Sequence, residues 1–520
     1  MKLKFILFII FSIYILIEVA STQTYNSTCI WWVKYDADST VQNGNFSNPF
    51  SNLKSAIDKI SMINNECDTK NITITRVIYI VASDKDDNEK VYKGSGSNTY
   101  ITISDIFYRF PILIQAIDEQ ASYTYNQSSP LLPMASTDRY ATFVGSSPNE
   151  YIIYFQSALT PIIIRGLQFK NGGFSTDDFR QASVITTSST IVSFENCLFK
   201  DNVGGTSGAL FYNSQSSAHI ENCIFENNKA SAGNGGAIYL PSGTAKLQIT
   251  NSIFKNNNAI NGGGVYCAYQ YLTMTSNKFI SNTALKSGGG LYTLAVADIT
   301  SVSWDHLLFD SNKAINGSGL FDNNSANQYY NATFISNEAT ENGGGSYLLD
   351  SRIFMQQSNY QSNKAARGGG IFALDTEPYF KSQLFIRDAN FTMNSASENG
   401  GAIYCSNATA RFNTRNLFED NSATNSSSST DYCTSSCVTS PGDCGCPGGC
   451  GIESDNDKDP NTDAKIAVAI FIPITAILLG VVGFLLWRTH AKSRGMRTKT
   501  AAPYDEIRLS PSSQDNDDQL

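Results

Sequence analysis

Large apolar residues fall at alternate positions in short runs through the middle of the chain, and polar or glycine-rich stretches separate the runs. Counted from a recurring aromatic (Phe169, Phe199, Phe225, Phe254, Phe279, Phe309, Phe334, Tyr360, Phe391, Phe418), the position five before it usually carries a large apolar residue. Phe194, Ile220, Ile249, Met274, Trp304, Tyr329, Met355 and Ile386 stand there. Two positions earlier come Val192, Ala218, Leu247, Leu272, Val302, Ile353 and Leu384. A period of two predicts a strand with one buried face. The glycine clusters and short apolar runs leave no stretch of 3.6-residue periodicity, so helix is disfavoured there.

Seven copies of one phrase run from Phe225 to Phe391, spaced 25 to 31 residues apart: aromatic, two residues, Asn, one residue, Ala, then a glycine cluster closing on an apolar residue. Residues 225–239 read FENNKASAGNGGAIY, and residues 360–372 read YQSNKAARGGGIF. A unit this short cannot bury its apolar face alone and must stack on its neighbours. A strand, a bend, and a second strand ending in a glycine corner, with no Asn-Gly hairpins between equivalent strands, predict an all-β, right-handed parallel β-helix with one coil per copy.

Asn three residues after the aromatic recurs as Asn202, Asn228, Asn257, Asn282, Asn312, Asn337, Asn363, Asn394 and Asn421. At a strand spacing each side-chain amide can donate to the carbonyl of the next, so this file is read as a structural ladder satisfying a buried bend. The Ala two residues on and the glycines beyond fit a corner where coils approach closely or φ turns positive.

The pattern divides the rest of the chain. Within an N-terminal cap over 22–65, residues 48–63 place Phe50, Leu53, Ile57 and Ile60 on one helical face, suited to covering the open end of the coil. The coil is assigned to 66–424, with regular repeats over 192–424. The runs 77–82, 112–116, 151–155 and 162–165 read as strands of irregular early coils, and the fold starts near Trp31. Residues 425–465 are Ser/Gly/Cys-rich, then acidic, and read as a spacer.

The two ends change the picture. Residues 1–21 have the basic start, apolar run (5–17) and small-residue exit of a secretory signal peptide. Residues 466–487 contain no charge and are long enough to span a bilayer as one helix. Arg488, Lys492, Arg494, Arg497 and Lys499 follow the span, and Asp455, Asp457, Asp459 and Asp463 precede it, so residues 488–520 are expected in the cytoplasm. The expectation is a single-pass type I protein of the plasma or endosomal membrane, its ectodomain extracellular or lumenal. Sequons on that side stand at Asn26, Asn45, Asn71, Asn126, Asn316, Asn323, Asn331, Asn390, Asn407 and Asn425. A net charge of −9 with 16% charged residues describes a mildly acidic folded body, and no basic patch points to nucleic acid.

Eleven cysteines on a secretory route are expected to be mostly oxidised. Cys29 and Cys67 flank the cap helix and can pair. Cys197 and Cys223 sit two residues before the aromatic in consecutive copies, and two readings stand: a disulfide between adjacent coils, or two reduced thiols stacked in a file. Cys267 and Cys405 match in position five copies apart, too far to bond. Cys433, Cys437, Cys444, Cys446 and Cys450 in the spacer read as a small disulfide knot with one odd thiol.

FxxN occurs at Phe199, Phe225, Phe254, Phe279, Phe309, Phe334, Phe391 and Phe418, and GGAI at 235–238 and 400–403, with GGGV, GGGL, GSGL, GGGS and GGGI at the other corners. With both motifs in register, the chain resembles proteins carrying the polymorphic outer-membrane protein repeat. The resemblance implies a pectin-lyase-like right-handed β-helix and, in bacterial members, adhesion at the cell surface. Those members also carry a C-terminal β-barrel, where this chain has the span 466–487.

Enzymes of this fold need carboxylates converging on one face. Asn461 to Asp463 spells an Asn-Thr-Asp run but lies beside the span, and Asp177 and Asp178 form an isolated loop pair. His219 and His306 read as surface or tolerated polar positions. No cluster suited to a calcium-dependent lyase is visible, so no catalytic residue, cofactor or metal is assigned. The leading expectation is a non-catalytic surface protein presenting a face to carbohydrate, matrix or another cell. One alternative is an endocytic or cargo receptor, from the YxxΦ pattern Tyr504 to Ile507 and its potential adaptor; the other is a β-helix polysaccharide lyase or hydrolase.

Overall fold

In the computed structural model the described residues lie between 30 and 434, interrupted at several loops, of which 63–75 and 120–131 are the longest. Their strands form four sheets that run the length of a coil: sheet A with 13 strands, sheets B and C with 12 each, and sheet D with 9. One regular turn runs through Ala218–Glu221 in sheet A, Ile224–Glu226 in C, Lys229–Ala230 in D and Ile238–Leu240 in B. Each strand pairs in parallel with its equivalent one turn on, as Phe225 does with Phe254 and Tyr239 with Tyr266. The antiparallel exception is Ser83–Asp84 against Arg139–Val144, at the irregular start of sheet C.

The expected period of two is visible in burial: in Lys246–Thr250 only Leu247 and Ile249 are buried. The recurring aromatic points inward from sheet C, and from Phe199 to Phe418 its rings stack at centroid separations of 4.4 to 5.1 Å. Ring spacing equals strand spacing, so the ladder that pairs the backbones also brings the rings into contact.

The turn holds two more strands than the strand–bend–strand reading expected. Ala two residues after Asn does not sit in the corner; it is the buried residue of a short sheet D strand, as Ala259 is in Asn258–Asn261. A further strand follows the glycines. The corner itself uses glycine in two ways: Gly262 has φ +61°, and a Cβ on Gly263 would lie 2.3 Å from the Gly289 carbonyl oxygen.

The helix Leu53–Met62 buries Leu53, Ala56 and Ile57 against the same core as Trp31 and Val33. Asn52 caps it, its side-chain oxygen accepting from the Ser55 amide at 2.8 Å. Strand Ile30–Val33 is already the first strand of sheet A, paired with Arg76–Val81. At the other end Tyr432–Thr434 pairs with Ile403–Ser406. Ile30–Val33 lies where the sequence placed the start of the fold, near Trp31, whereas Tyr432–Thr434 falls in the segment read as spacer, because backbone pairing at a sheet edge needs little apolar periodicity.

Candidate functional site

Alternation in sheet B turns one residue per strand away from the core. Register aligns Tyr239, Tyr266, Tyr292, Phe321, Tyr347, Phe372 and Tyr404 in a single outward row. Successive ring centroids are 5.3, 4.8, 5.0, 4.7, 4.7 and 5.3 Å apart. Tyr266, Tyr292 and Phe321 stack nearly parallel, whereas Tyr347 meets both neighbours edge-on. Two residues further along each strand lie Leu294, Asn323, Leu349, Leu374 and Ser406, forming a second row on the same face.

Phe321, Tyr347 and Phe372 are buried at the centre of this cluster, with Leu349 and Leu374 packed against them. The Arg367 guanidinium sits 5.5 Å from the Phe372 centroid. Toward the ends Tyr239, Tyr266, Tyr292 and Tyr404 are half-buried. The Asn323 side-chain amide donates to the Tyr292 hydroxyl at 3.4 Å. Burial pushes the Tyr347 phenol up to about 12 and raises that of Tyr239, so both stay neutral at physiological pH. The face combines apolar ring edges with hydroxyl donors and acceptors, the mixed chemistry that a sugar presents in return.

Among the described residues, the interior of sheet B holds a carboxylic acid. Asp322 lies in the inward row of sheet B that elsewhere carries Cys267, Thr293, Leu348, Ala373 and Cys405. It is wholly buried, and its Oδ1 accepts from the Thr293 hydroxyl and, at 3.0 Å, from the Asn327 amide. Desolvation raises its carboxyl to about 7 despite those bonds. Facing the core, it has no route to a polymer outside the coil.

The other singled-out residues are dispersed. His219 Nε2 lies 3.2 Å from Glu221 and His306 Nδ1 2.8 Å from Asp305, each on the outer surface. His306 has φ 53°, matching Asn196, Asn222, Asn251 and Asn331 at φ 49 to 54°. The polar slot is a left-handed corner, which Asn tolerates best among residues with a Cβ. Asp177, Asp178 and Asn461 to Asp463 lie outside the described residues. Among the described residues, no group of three or more His, Cys, Asp or Glu side chains is placed to hold a metal ion.

The nine asparagines form one continuous hydrogen-bonded file. Asn282 is typical: its side-chain amide donates to Asn312 Oδ1 at 3.0 Å and to the Phe254 carbonyl at 2.9 Å, while its own Oδ1 accepts from the backbone and side-chain amides of Asn257. The same set of bonds runs from Asn202 and Asn228 through Asn312, Asn337 and Asn363 to Asn394 and Asn421. Cys197 and Cys223 are free and buried, and the Cys197 amide donates to the Cys223 sulfur at 3.4 Å. The file continues as Ser252 and then Asn277 accept from the preceding backbone amide, so the Cys223 thiol occupies an acceptor position in a ladder. Cys267 and Cys405 are also buried.

Of the sequons, Asn45, Asn390 and Asn407 are exposed, and Asn316, Asn323 and Asn331 are half-buried. Asn26, Asn71, Asn126 and Asn425, the segments 1–21 and 466–487, the remaining cysteines' side chains, Tyr504 and Ile507 lie outside the described residues. No helix among the described residues is long and apolar enough to cross a membrane. The aromatic row itself was missed at the sequence level. Its signal is the Tyr or Phe that follows each glycine cluster after one apolar residue, and only register shows that these rings touch.

Four parallel sheets wound by one repeated turn define a right-handed parallel β-helix, and the right handed beta helix region family matches residues 142–284. Residues 388–406, which contain one FxxN and one GGAI, match the Chlamydia polymorphic membrane protein repeat. No curated protein matches the chain. Among solved structures, the crystal structure of DFA-IIIase from Arthrobacter chlorophenolicus A6 is 12% identical, with a TM-score of 0.32, over 78% of this chain and 87% of that one.

Proposed function

We propose that the chain is a type I cell-surface protein whose coil is a non-catalytic binding rod, with the outer aromatic row of sheet B as its carbohydrate-binding face. The observation that carries this reading is the row itself: seven rings held in register by the backbone ladder, of which Tyr239, Tyr266, Tyr292 and Tyr404 are only half-buried. A ring already fixed by its neighbours loses little rotamer freedom when a ligand covers it, so its contact area converts to affinity with small entropic cost. The repeat resemblance, with its surface-displayed bacterial members, supports the same reading, as do the leader and apolar span read from sequence.

Removing about 40 Å² of apolar ring surface from water contributes roughly 1 kcal/mol. Tyr266→Ala with Tyr292→Ala should therefore weaken glycan binding by the full-length chain by about tenfold or more, measured on a glycan array with detergent-extracted protein. Both rings point away from the core, so the coil should stay folded. Unchanged binding by the double variant, or turnover of pectin or alginate by the wild-type chain, would overturn the proposal.

A further inference from the structure

A second face carries a different chemistry, independent of the aromatic row. The last four strands of sheet A, Ala326–Tyr330, Arg352–Gln356, Gln383–Arg387 and Thr409–Phe412, contain three arginines and no Asp or Glu. This occurs in a chain of net charge −9, and earlier strands of the same sheet carry Glu195, Glu221 and Asp305.

Register gathers the arginines around two rings. Phe354 pairs with Phe385 and Phe385 with Arg411, while Arg352 sits two residues before Phe354 on its strand. The guanidinium carbons of Arg352 and Arg411 lie 5.8 and 5.6 Å from the centroid of the same Phe385 ring, approaching from the two flanking strands. Both arginines are exposed, and among the described residues neither has a carboxylate within ion-pair distance, while Arg387 meets Asp388 at 3.6 Å. A guanidinium stacked on a ring keeps its in-plane N–H donors free for an anion.

We infer that this face is an anion-recognition site for an extended acidic polysaccharide, bearing sulfate or carboxylate groups, lying across the strands. Two strand spacings and an offset of two residues along the strand separate Arg352 from Arg411, about 12 Å between their backbones, on the order of one disaccharide along an extended chain. The Phe354 and Phe385 rings, both half-buried, offer apolar surface to the sugar between its charges. The sheet is open, which suits a polymer better than a small solute.

The test uses full-length protein in detergent extract with immobilised heparin, dextran sulfate and neutral dextran as probes, at near-physiological salt. Wild type should bind both sulfated probes and not neutral dextran. Arg352→Gln with Arg411→Gln should weaken heparin binding at least tenfold, while Lys278→Gln, an exposed charge on sheet C, should leave it within twofold. The Lys double variant R352K/R411K separates planar recognition from bulk charge and should recover only part of the affinity. Unfolding midpoints matching wild type establish that the variants are folded; a folded glutamine variant with wild-type heparin binding overturns the inference. Equal binding to neutral dextran overturns it too, as does binding to phosphatidylserine vesicles without binding to heparin.

Discussion

Single residues in this coil are chosen by the backbone conformation or the partner that one position supplies. From Phe199 to Phe391 the slot three before the aromatic holds φ near +50°, and Asn, Ser, His, Gln and Asp share it in preference to apolar residues. Asp322 is the exception that costs stability. Its carboxyl, raised to about 7 by burial, is held protonated more readily in the folded chain than in the unfolded one, where an ordinary Asp titrates near 4. The contribution of the protonated acid is therefore fully present below about pH 4 and is lost as pH rises through about 7. Asp322→Asn, which keeps an acceptor for Thr293 and Asn327, should flatten this dependence. The unfolding free energy of the full-length chain should rise at pH 8, by on the order of a few kcal/mol, and its midpoint with it, and both should change little at pH 4. A midpoint at pH 8 that falls instead would mean that the charged form is stabilised by something other than these two donors.

Elements gain their stability from the file rather than from the strand. A sheet C strand of three residues has little independent preference, but each contributes a stacked ring and delivers an asparagine to the ladder. Removing Asn282 by substitution to Ala leaves the backbone and side-chain amides of Asn257 without their acceptor and the Phe254 carbonyl without its donor. At about 1–3 kcal/mol for each buried orphan, the loss should exceed 3 kcal/mol, whereas Lys278→Ala on an exposed position should cost less than about 0.5 kcal/mol. Denaturant titration followed by Trp304 fluorescence reports both, since Trp304 is buried one coil away, its indole donating to the Leu272 carbonyl.

At the scale of the whole molecule, the coil would be displayed outside the cell and the tail would meet the sorting machinery inside. The receptor alternative turns on Tyr504, because a YxxΦ pattern needs both the tyrosine and the apolar Ile507. Tyr504→Ala should at least double surface residence, measured by antibody uptake in cells expressing the full chain. Unchanged uptake would remove the tail motif from the account and leave the binding faces as the functional part. The two proposed faces lie on different sheets, so the variants of one test leave the other face intact.

The coil was legible because its signals are local and repeated. Period-two burial, the Asn position and the glycine corner each follow from what one residue can do inside a turn, and repetition at 25 to 31 residues makes stacking unavoidable. The short strands of sheet D were not legible, since two residues such as Lys229–Ala230 carry no periodicity. Nor was the edge strand Tyr432–Thr434, which exists by pairing with a neighbour. Both candidate faces lay equally out of reach. Tyr239 and Tyr404 are 165 positions apart and Arg352 and Arg411 are 59 apart, and only the winding of the backbone, which sets register between turns, brings such residues onto one surface.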